Sequence, residues 1–471
     1  MPQRRSHVSP SAAQTELASA LAALRASVDA PLFFPPAVLA EADAARAAEP
    51  GLDLRDIPFA TLDPAGSRDL DQAFHLERAG TGFTVRYAIA DVPAFVVPDG
   101  AVDAEARRRG QTLYAADGTI PLHPAVLSED RASLLPGVDR PALVWTFALD
   151  AAGVVTDVRL ERALIRSRAQ LDYARTQQAL DRGEDGPAAL LPEIGVLRME
   201  QERLRGGASL NLPDEEVVRA EDGTYAIERR SPLPVEEWNA QLSLMTGMAA
   251  ASLMLEAGVG ILRTMPEPEE SAFATFRHQT EALGRPWTTG TYGEYLRALD
   301  RDDPMALPVL EAAASLFRGA GYLVFDGETP QDAVQAAIAA PYAHATAPLR
   351  RLVDRWALAI CLAVSNGDPV PEWARGSLAE LPALMQESGQ RASRLNAATV
   401  NSVEAALLTP LVGSTIEATV IELRGERAAV QIADPAVTAT APLPEGAKPG
   451  DVVRLRVVRA DIPRGEVEFT V

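Results

Sequence analysis

Cysteine and lysine are nearly missing from the 471 residues: there is one of each, Cys361 and Lys448. A lone cysteine excludes an internal disulfide and any cysteine-bound metal, and its setting in "WALAICLAV" reads as a small buried hydrophobe. Aromatic residues are only 5% of the chain, and no apolar run approaches the roughly 20 residues needed to span a bilayer. The opening "MPQRRSHVSPSAAQTE" lacks an apolar signal core. These absences predict a cytoplasmic protein with no membrane partner. A net positive field is missing too. The formal charge of −21 argues against a protein that coats nucleic acid, while leaving room for a channel lined locally with arginine. With lysine so scarce, basic charge is carried by arginine, whose planar fork suits bidentate contact with phosphate.

What is present falls into three stretches, and the length suits two to four domains. Residues 1–50 read as a short helical N-terminal domain, with "SAAQTELASALAALRASV" and "PPAVLAEADAARAA" at helical spacing and a helix-turn-helix-like arrangement among the options. Residues 51–400 show strand-like runs first ("FTVRYAIADV", "ALVWTFALD") and long helical runs later, an α+β pattern. From 411 to 471, β-rich runs alternate with Gly and Pro turns, which suits a five-stranded β-barrel of the oligonucleotide-binding (OB) type.

The stretch "TLDPAGSRDLDQAF", Thr61 to Phe74, gathers Asp63, Asp69 and Asp71 and follows them with Gln72. On an extended segment Asp69 and Asp71 point the same way, and a Pro-Ala-Gly-Ser turn can bring Asp63 alongside. Two readings fit these residues: solvated turn aspartates paired with Arg68, or hard oxygen ligands converging on a divalent cation.

Together with "RYAIADVPAFV", this stretch closely resembles the active-site signature of the ribonuclease II (RNB) family. "PYAHATAPLRRLVDRWA", Pro341 to Ala357, is similar to that family's second motif, and "GQTLYAADGTIPLHPAVLSEDRASLLPG" to a third segment. The resemblance implies an RNB-type α+β catalytic domain over 51–400 and an S1-like RNA-binding barrel over 411–471. It also implies a processive, hydrolytic 3′ to 5′ exoribonuclease that needs Mg²⁺, with Mn²⁺ as a second candidate. Such an enzyme would act as a monomer on single-stranded RNA and release nucleoside 5′-monophosphates. By the same resemblance, Asp63, Asp69 and Asp71 hold metal and activate water, with Asp71 nearest the reacting water. Gln72 stands where the family usually has a fourth aspartate and would be a weaker, neutral ligand. Arg350 would steady the scissile phosphate and Tyr114 would stack on terminal bases. Thr346, Arg351 and Arg109, the last of the run Arg107 to Arg109, are the other candidate RNA contacts. Thr346 as N-cap and Pro348 as first-turn proline would put Arg350 in the first turn of a helix. The family's two cold-shock-like barrels would stand ahead of the catalytic domain, where this chain has about 50 helical residues, so the substrate entrance is expected to differ. Two alternatives are a non-catalytic RNA-binding relative disabled at Gln72, and a metal-dependent phosphodiesterase acting on DNA.

Overall fold

The computed structural model describes residues 4–7, 12–208, 210, 214–219, 225–300, 306–425, 427–432, 435 and 437–471. Its centre is a sheet whose strands alternate strictly. In "GFTVRYAIA" (Gly82–Ala90), Phe83, Val85, Tyr87 and Ile89 face one side, and Ala88 and Ala90 face the other. This strand pairs antiparallel with Gln72–Ala79 on one edge and Asp139–Leu149 on the other. The 18-residue strand Val155–Asp172 is long enough to pair antiparallel with Asp139–Leu149 and parallel with both Phe59–Asp63 and the short Leu52–Asp53. Since Phe59–Asp63 also pairs with Gln72–Ala79, the sheet closes on itself.

The two faces differ in side-chain size, and this decides what covers them. Tyr87, Trp145 and Phe147 lie in one core with Leu242 and Met245 of helix Pro234–Ala257 and Trp356 of helix Leu352–Asn366. Each such large side chain, fully buried, contributes about 1.5–3 kcal/mol. The other face is rich in alanine (Ala73, Ala88, Ala90, Ala142, Ala163), so Val38 and Ala42 of helix Pro36–Ala44 and Val102 of helix Ala101–Arg109 come close. Cys361 is buried in its helix, as expected. The strand ends that carry the aspartates are therefore mounted on a sheet packed on both sides.

The 28-residue helix Leu381–Leu408 leads to the C-terminal barrel. There five strands (Thr415–Arg424, Arg427–Ile432, Val437–Pro442, Val452–Asp461 and Glu466–Thr470) run antiparallel, and the third returns beside the fifth to nearly close the ring. The expected α+β architecture with a five-stranded OB-type barrel is thus present.

The N-terminal helices do not pair as a helix-turn-helix-like unit. Helix Ala12–Ser27 puts Leu17 and Leu21 into a core shared with Val403 and Leu407 of the long helix and Val420, Val430 and Val457 of the barrel. Helix Pro36–Ala44 serves the sheet's alanine face instead. Each apolar stripe is buried in a different core. Strand Arg4–His7 pairs antiparallel with Tyr225–Arg230, far along the chain. Among the described residues no helix is long and apolar enough to cross a membrane.

Candidate active site

The acidic half begins where strand Phe59–Asp63 ends. A turn closes after Asp63, with Ser67 N–H donating to the Pro64 carbonyl (3.2 Å) and Gly66 in the left-handed region (φ 86°). The segment beyond is clamped by Ser133, whose hydroxyl donates to the Arg68 carbonyl (2.5 Å) and accepts from Leu70 N–H (3.0 Å). Ala90 N–H donates to the Asp71 carbonyl (2.9 Å), which locks Asp71 against the sheet. Arg68 turns away to Glu129 (3.8 Å), so the solvated-turn reading, with Arg68 pairing Asp69 or Asp71, does not hold.

Asp71 is 2% exposed. Its Oδ1 accepts from Leu349 N–H (2.8 Å), and its Oδ2 lies 3.3 Å from Arg350 Nε. Burial pushes its carboxyl up to about 8, against the pull of Arg350 and the Leu349 amide. Burial likewise pushes Asp63 up to about 7; Arg350 opposes the rise and the charge of Asp69 adds to it. Asp63 Oδ2 and Asp71 Oδ2 are both buried without a hydrogen-bond partner. Two desolvated carboxylate oxygens left in this way are a poor arrangement unless a cation or a proton neutralises them.

The basic half, Ala345 to Arg351, is shaped by Asp354. Its Oδ1 accepts from Ala347 N–H (2.7 Å), and its two oxygens take the Arg351 guanidinium at 2.8 and 2.9 Å. Arg350 and Arg351 N–H both return to the Ala347 carbonyl (3.2 and 2.9 Å), which makes a turn. The helix starts only at Leu352, after Arg351 in extended backbone (φ −130°, ψ 127°). Thr346 is therefore no N-cap, and Arg350 precedes the helix it was expected to join. Arg351 is corrected as well. Its donors hold Asp354 and reach Thr346 Oγ1 (3.4 Å), so it shapes the turn. Arg350 remains directed at Asp71 with about half its side chain exposed.

Gln72 links the two halves. Its side-chain amide donates to the Thr346 carbonyl, a bond that a carboxylate at the same place would replace with oxygen facing oxygen. The expectation of one ligand set made of Asp63, Asp69, Asp71 and Gln72 is corrected accordingly. Among the described residues no three Asp, Glu, His or Cys side chains stand in a metal-holding group, and Gln72 has its amide nitrogen on the Thr346 carbonyl while its oxygen is the atom that would meet a cation. Tyr114, on the hairpin Leu113–Ala115/Gly118–Ile120, is 58% exposed and donates from its hydroxyl to Asp69 Oδ2 (3.4 Å). The base of that hairpin is bonded to the arginine turn, with Thr112 N–H donating to the Arg350 carbonyl (2.9 Å) and Leu352 N–H to the Gly110 carbonyl (3.0 Å).

The RNB domain model matches residues 52–364, and the model of the RNase II-type exonuclease C-terminal S1 domain matches 414–471. The chain belongs to the RNB-domain family. Similar proteins include ribonuclease R of Escherichia coli (strain K12), 29% identical over 326 residues that cover 64% of this chain and 39% of that protein. Another is an inactive exonuclease DIS3L2 of Arabidopsis thaliana, 31% identical over 64% of this chain and 32% of that protein. The matches thus span only about a third to two fifths of these relatives. Among solved structures, Mycoplasma genitalium RNase R in complex with ribose methylated single-stranded RNA shares the fold at TM-score 0.86 and 17% identity, over 97% of this chain and 78% of that one. Yeast Ssd1, a pseudonuclease, shares it at TM-score 0.67 and 17% identity, over 91% of this chain and 55% of that one.

Within this RNB-domain chain the remaining candidate, Arg109, is turned into the interior. It is 1% exposed, paired with Glu105 (2.8 Å), bonded to the carbonyls of Pro121 (2.8 Å) and Phe33 (3.2 Å), and stacked on Phe34. A guanidinium with this many internal acceptors braces its helix and is not an RNA contact. Asp91 is buried and paired with Arg162 (2.6 Å), and His344 bonds Tyr322 (2.8 Å). Sequence reasoning missed Tyr173, whose phenol burial pushes up to about 12 with Asp63's charge adding and a hydrogen bond from Asn239 opposing. It also missed Tyr87, bonded to Ser243 (2.8 Å) beneath Asp63. Tyr87 stands in "RYAIADVPAFV" but was not singled out there, and Tyr173 belongs to none of the three motifs, its place directly after the helix-capping Asp172 being its local signal.

Proposed function

We propose that this chain is a metal-dependent 3′ to 5′ exoribonuclease that hydrolyses single-stranded RNA to nucleoside 5′-monophosphates, with Mg²⁺ as the ion and Mn²⁺ as a substitute. The observation that carries this reading is the pair of buried oxygens, Asp63 Oδ2 and Asp71 Oδ2, that accept no hydrogen bond, the second of them beside the Arg350 guanidinium. The donor chemistry fits a hard divalent cation: carboxylate oxygens out of water, their charged forms disfavoured until neutralised. Asp63 and Asp71 would hold the ion, with Asp69 beside them. Once bound, the cation supplies a water acidified toward neutral pH and offsets charge on the phosphate. Asp71, ionised when the pocket is neutralised, accepts the proton of the attacking water. Arg350 meets the negative charge developing on the non-bridging oxygens. Tyr114, exposed and held by Asp69, offers its ring to the terminal base. The barrel adds a second RNA-binding surface, consistent with its match to the S1 domain of RNase II-type exonucleases.

A second reading, a non-catalytic RNA binder, is favoured by one feature. Gln72 uses its amide to join the two halves, where the resemblance calls for a fourth aspartate. The kinship extends to an inactive exonuclease and shares a fold with a pseudonuclease. Incubating 5′-labelled RNA and DNA of one sequence with and without EDTA separates the readings. Metal-dependent shortening of RNA supports the nuclease, RNA binding without shortening supports the binder, and equal cutting of DNA overturns RNA selectivity.

A further inference from the structure

The hairpin that carries Tyr114 has two strands of three residues each, a size that is marginal without outside support. Its base is bonded to the Arg350 turn, as described above. Its underside and tip are held by a different part of the chain. Leu113 and Ile120 are buried against Leu24, Val28 and Ala30, at and just beyond the end of helix Ala12–Ser27, and against Leu395 of the long helix. At the tip, Arg25 from the last turn of the N-terminal helix pairs with the Asp117 carboxylate (3.3 Å) and donates to the Asp117 carbonyl (3.4 Å). The Asp117 side chain is only 9% exposed. Asp117 Oδ1 and Arg25 Nε are buried without any hydrogen-bond partner, so each group depends on the other for compensation. The seat is shaped for the guanidinium: a Cβ at Gly118 would stand 2.2 Å from Arg25 Nη1. The same helix buries Leu17 and Leu21 in the core of the C-terminal barrel.

We propose that Arg25 is a positioning residue for the exoribonuclease proposed above: it clamps the tip of the Tyr114 hairpin and ties the stacking tyrosine to the N-terminal helix and the barrel. The inference rests on that reading for its catalytic consequence, but its structural content is testable without catalysis.

The test uses the full chain and a single-stranded RNA with 2-aminopurine near its 3′ end, in EDTA, where stacking on Tyr114 quenches fluorescence. Arg25→Gln is expected to lose at least half of the quench that Tyr114→Ala loses, and Arg25→Lys to restore it. With Mg²⁺, Arg25→Gln is expected to raise KM about threefold or more while kcat stays within about twofold, because lost base stacking weakens substrate hold. The Arg25→Gln/Tyr114→Ala double variant should be no worse than Tyr114→Ala alone. Parent-like quench in Arg25→Gln, or effects that add in the double variant, would overturn the proposal. If Arg25→Gln does not fold, Gly118→Ala, which displaces the guanidinium, must reproduce the lost quench, and an unchanged quench overturns the proposal. A parent that quenches without hydrolysing defeats the nuclease reading and leaves the clamp to be judged by quench alone.

Discussion

At the scale of single residues, the acidic pocket is a set of charges held out of water. Asp71 and Asp63, raised to about 8 and 7, favour their protonated forms when the protein is folded and free of metal. Because both lie above the ordinary value of 3.8, their contribution to stability is complete below about pH 4 and is lost as pH rises toward 7 and 8. Metal-free protein should therefore melt at a lower temperature at pH 8.5 than at pH 6 through these groups. Asp71→Asn should remove part of that decline, so thermal melting in EDTA at the two pH values is the check. The same substitution should abolish hydrolysis while RNA binding persists; activity within tenfold of the parent would contradict the role given to Asp71. Gln72 is the residue whose sequence reading changed most. As a neutral donor to the Thr346 carbonyl, it should cost about 1–2 kcal/mol on truncation to alanine, measured by urea unfolding. The acids were legible because they fall together in "DPAGSRDLD", between the end of one strand at Asp63 and the start of the next at Gln72. The role of Gln72 was not, because its partner lies 274 residues away.

At the scale of elements, a strong local signal was overruled by a side chain further on. Thr346 and Pro348 read as a helix start, yet Asp354 draws the Ala347 amide and the Arg351 guanidinium into a turn, and the helix begins at Leu352. Removing the fully buried Asp354 carboxylate leaves Arg351, about three-quarters buried, without its ion partner and the Ala347 amide without its acceptor. Asp354→Ala should cost about 3–5 kcal/mol by chemical denaturation. Arg350→Ala should leave the fold nearly as stable as the parent while lowering turnover, since this guanidinium is half-exposed and its neighbour Asp71 prefers its proton. The basic run Arg107 to Arg109 shows a second limit. A helix with three consecutive arginines has the same sequence whether they face solvent, substrate or the interior. Arg109 takes the interior because Glu105, Pro121, Phe33 and Phe34 surround it. Arg109→Gln should accordingly lower the melting temperature while leaving the slope of log K against log salt for RNA unchanged. A true phosphate contact would reduce that slope by about one.

At the scale of the whole molecule, the strand-first, helix-later order and the Gly- and Pro-punctuated C-terminus were enough to read an α+β body followed by a five-stranded barrel, because period-2 alternation survives in "FTVRYAIA" and "VVRLRVV". Closure of the central sheet was not legible, since it depends on one 18-residue strand pairing with two partners. Nor was the placement of the N-terminal helix, whose apolar stripe fits many neighbours equally well on paper. The result is a molecule in which the acidic strand ends, the arginine turn nearly 280 residues later and the tyrosine hairpin meet at one pocket, with the barrel tied to that hairpin through the first helix. The proposed activity of this pocket is RNA cleavage with a divalent ion. The most direct measurement follows 5′-labelled single-stranded RNA with Mg²⁺, with EDTA, and with Asp71→Asn in place of the parent. The account predicts stepwise shortening from the 3′ end with release of nucleoside 5′-monophosphates only for the parent with Mg²⁺. Shortening that persists in EDTA or in Asp71→Asn, or bound RNA that stays intact with Mg²⁺, would contradict it.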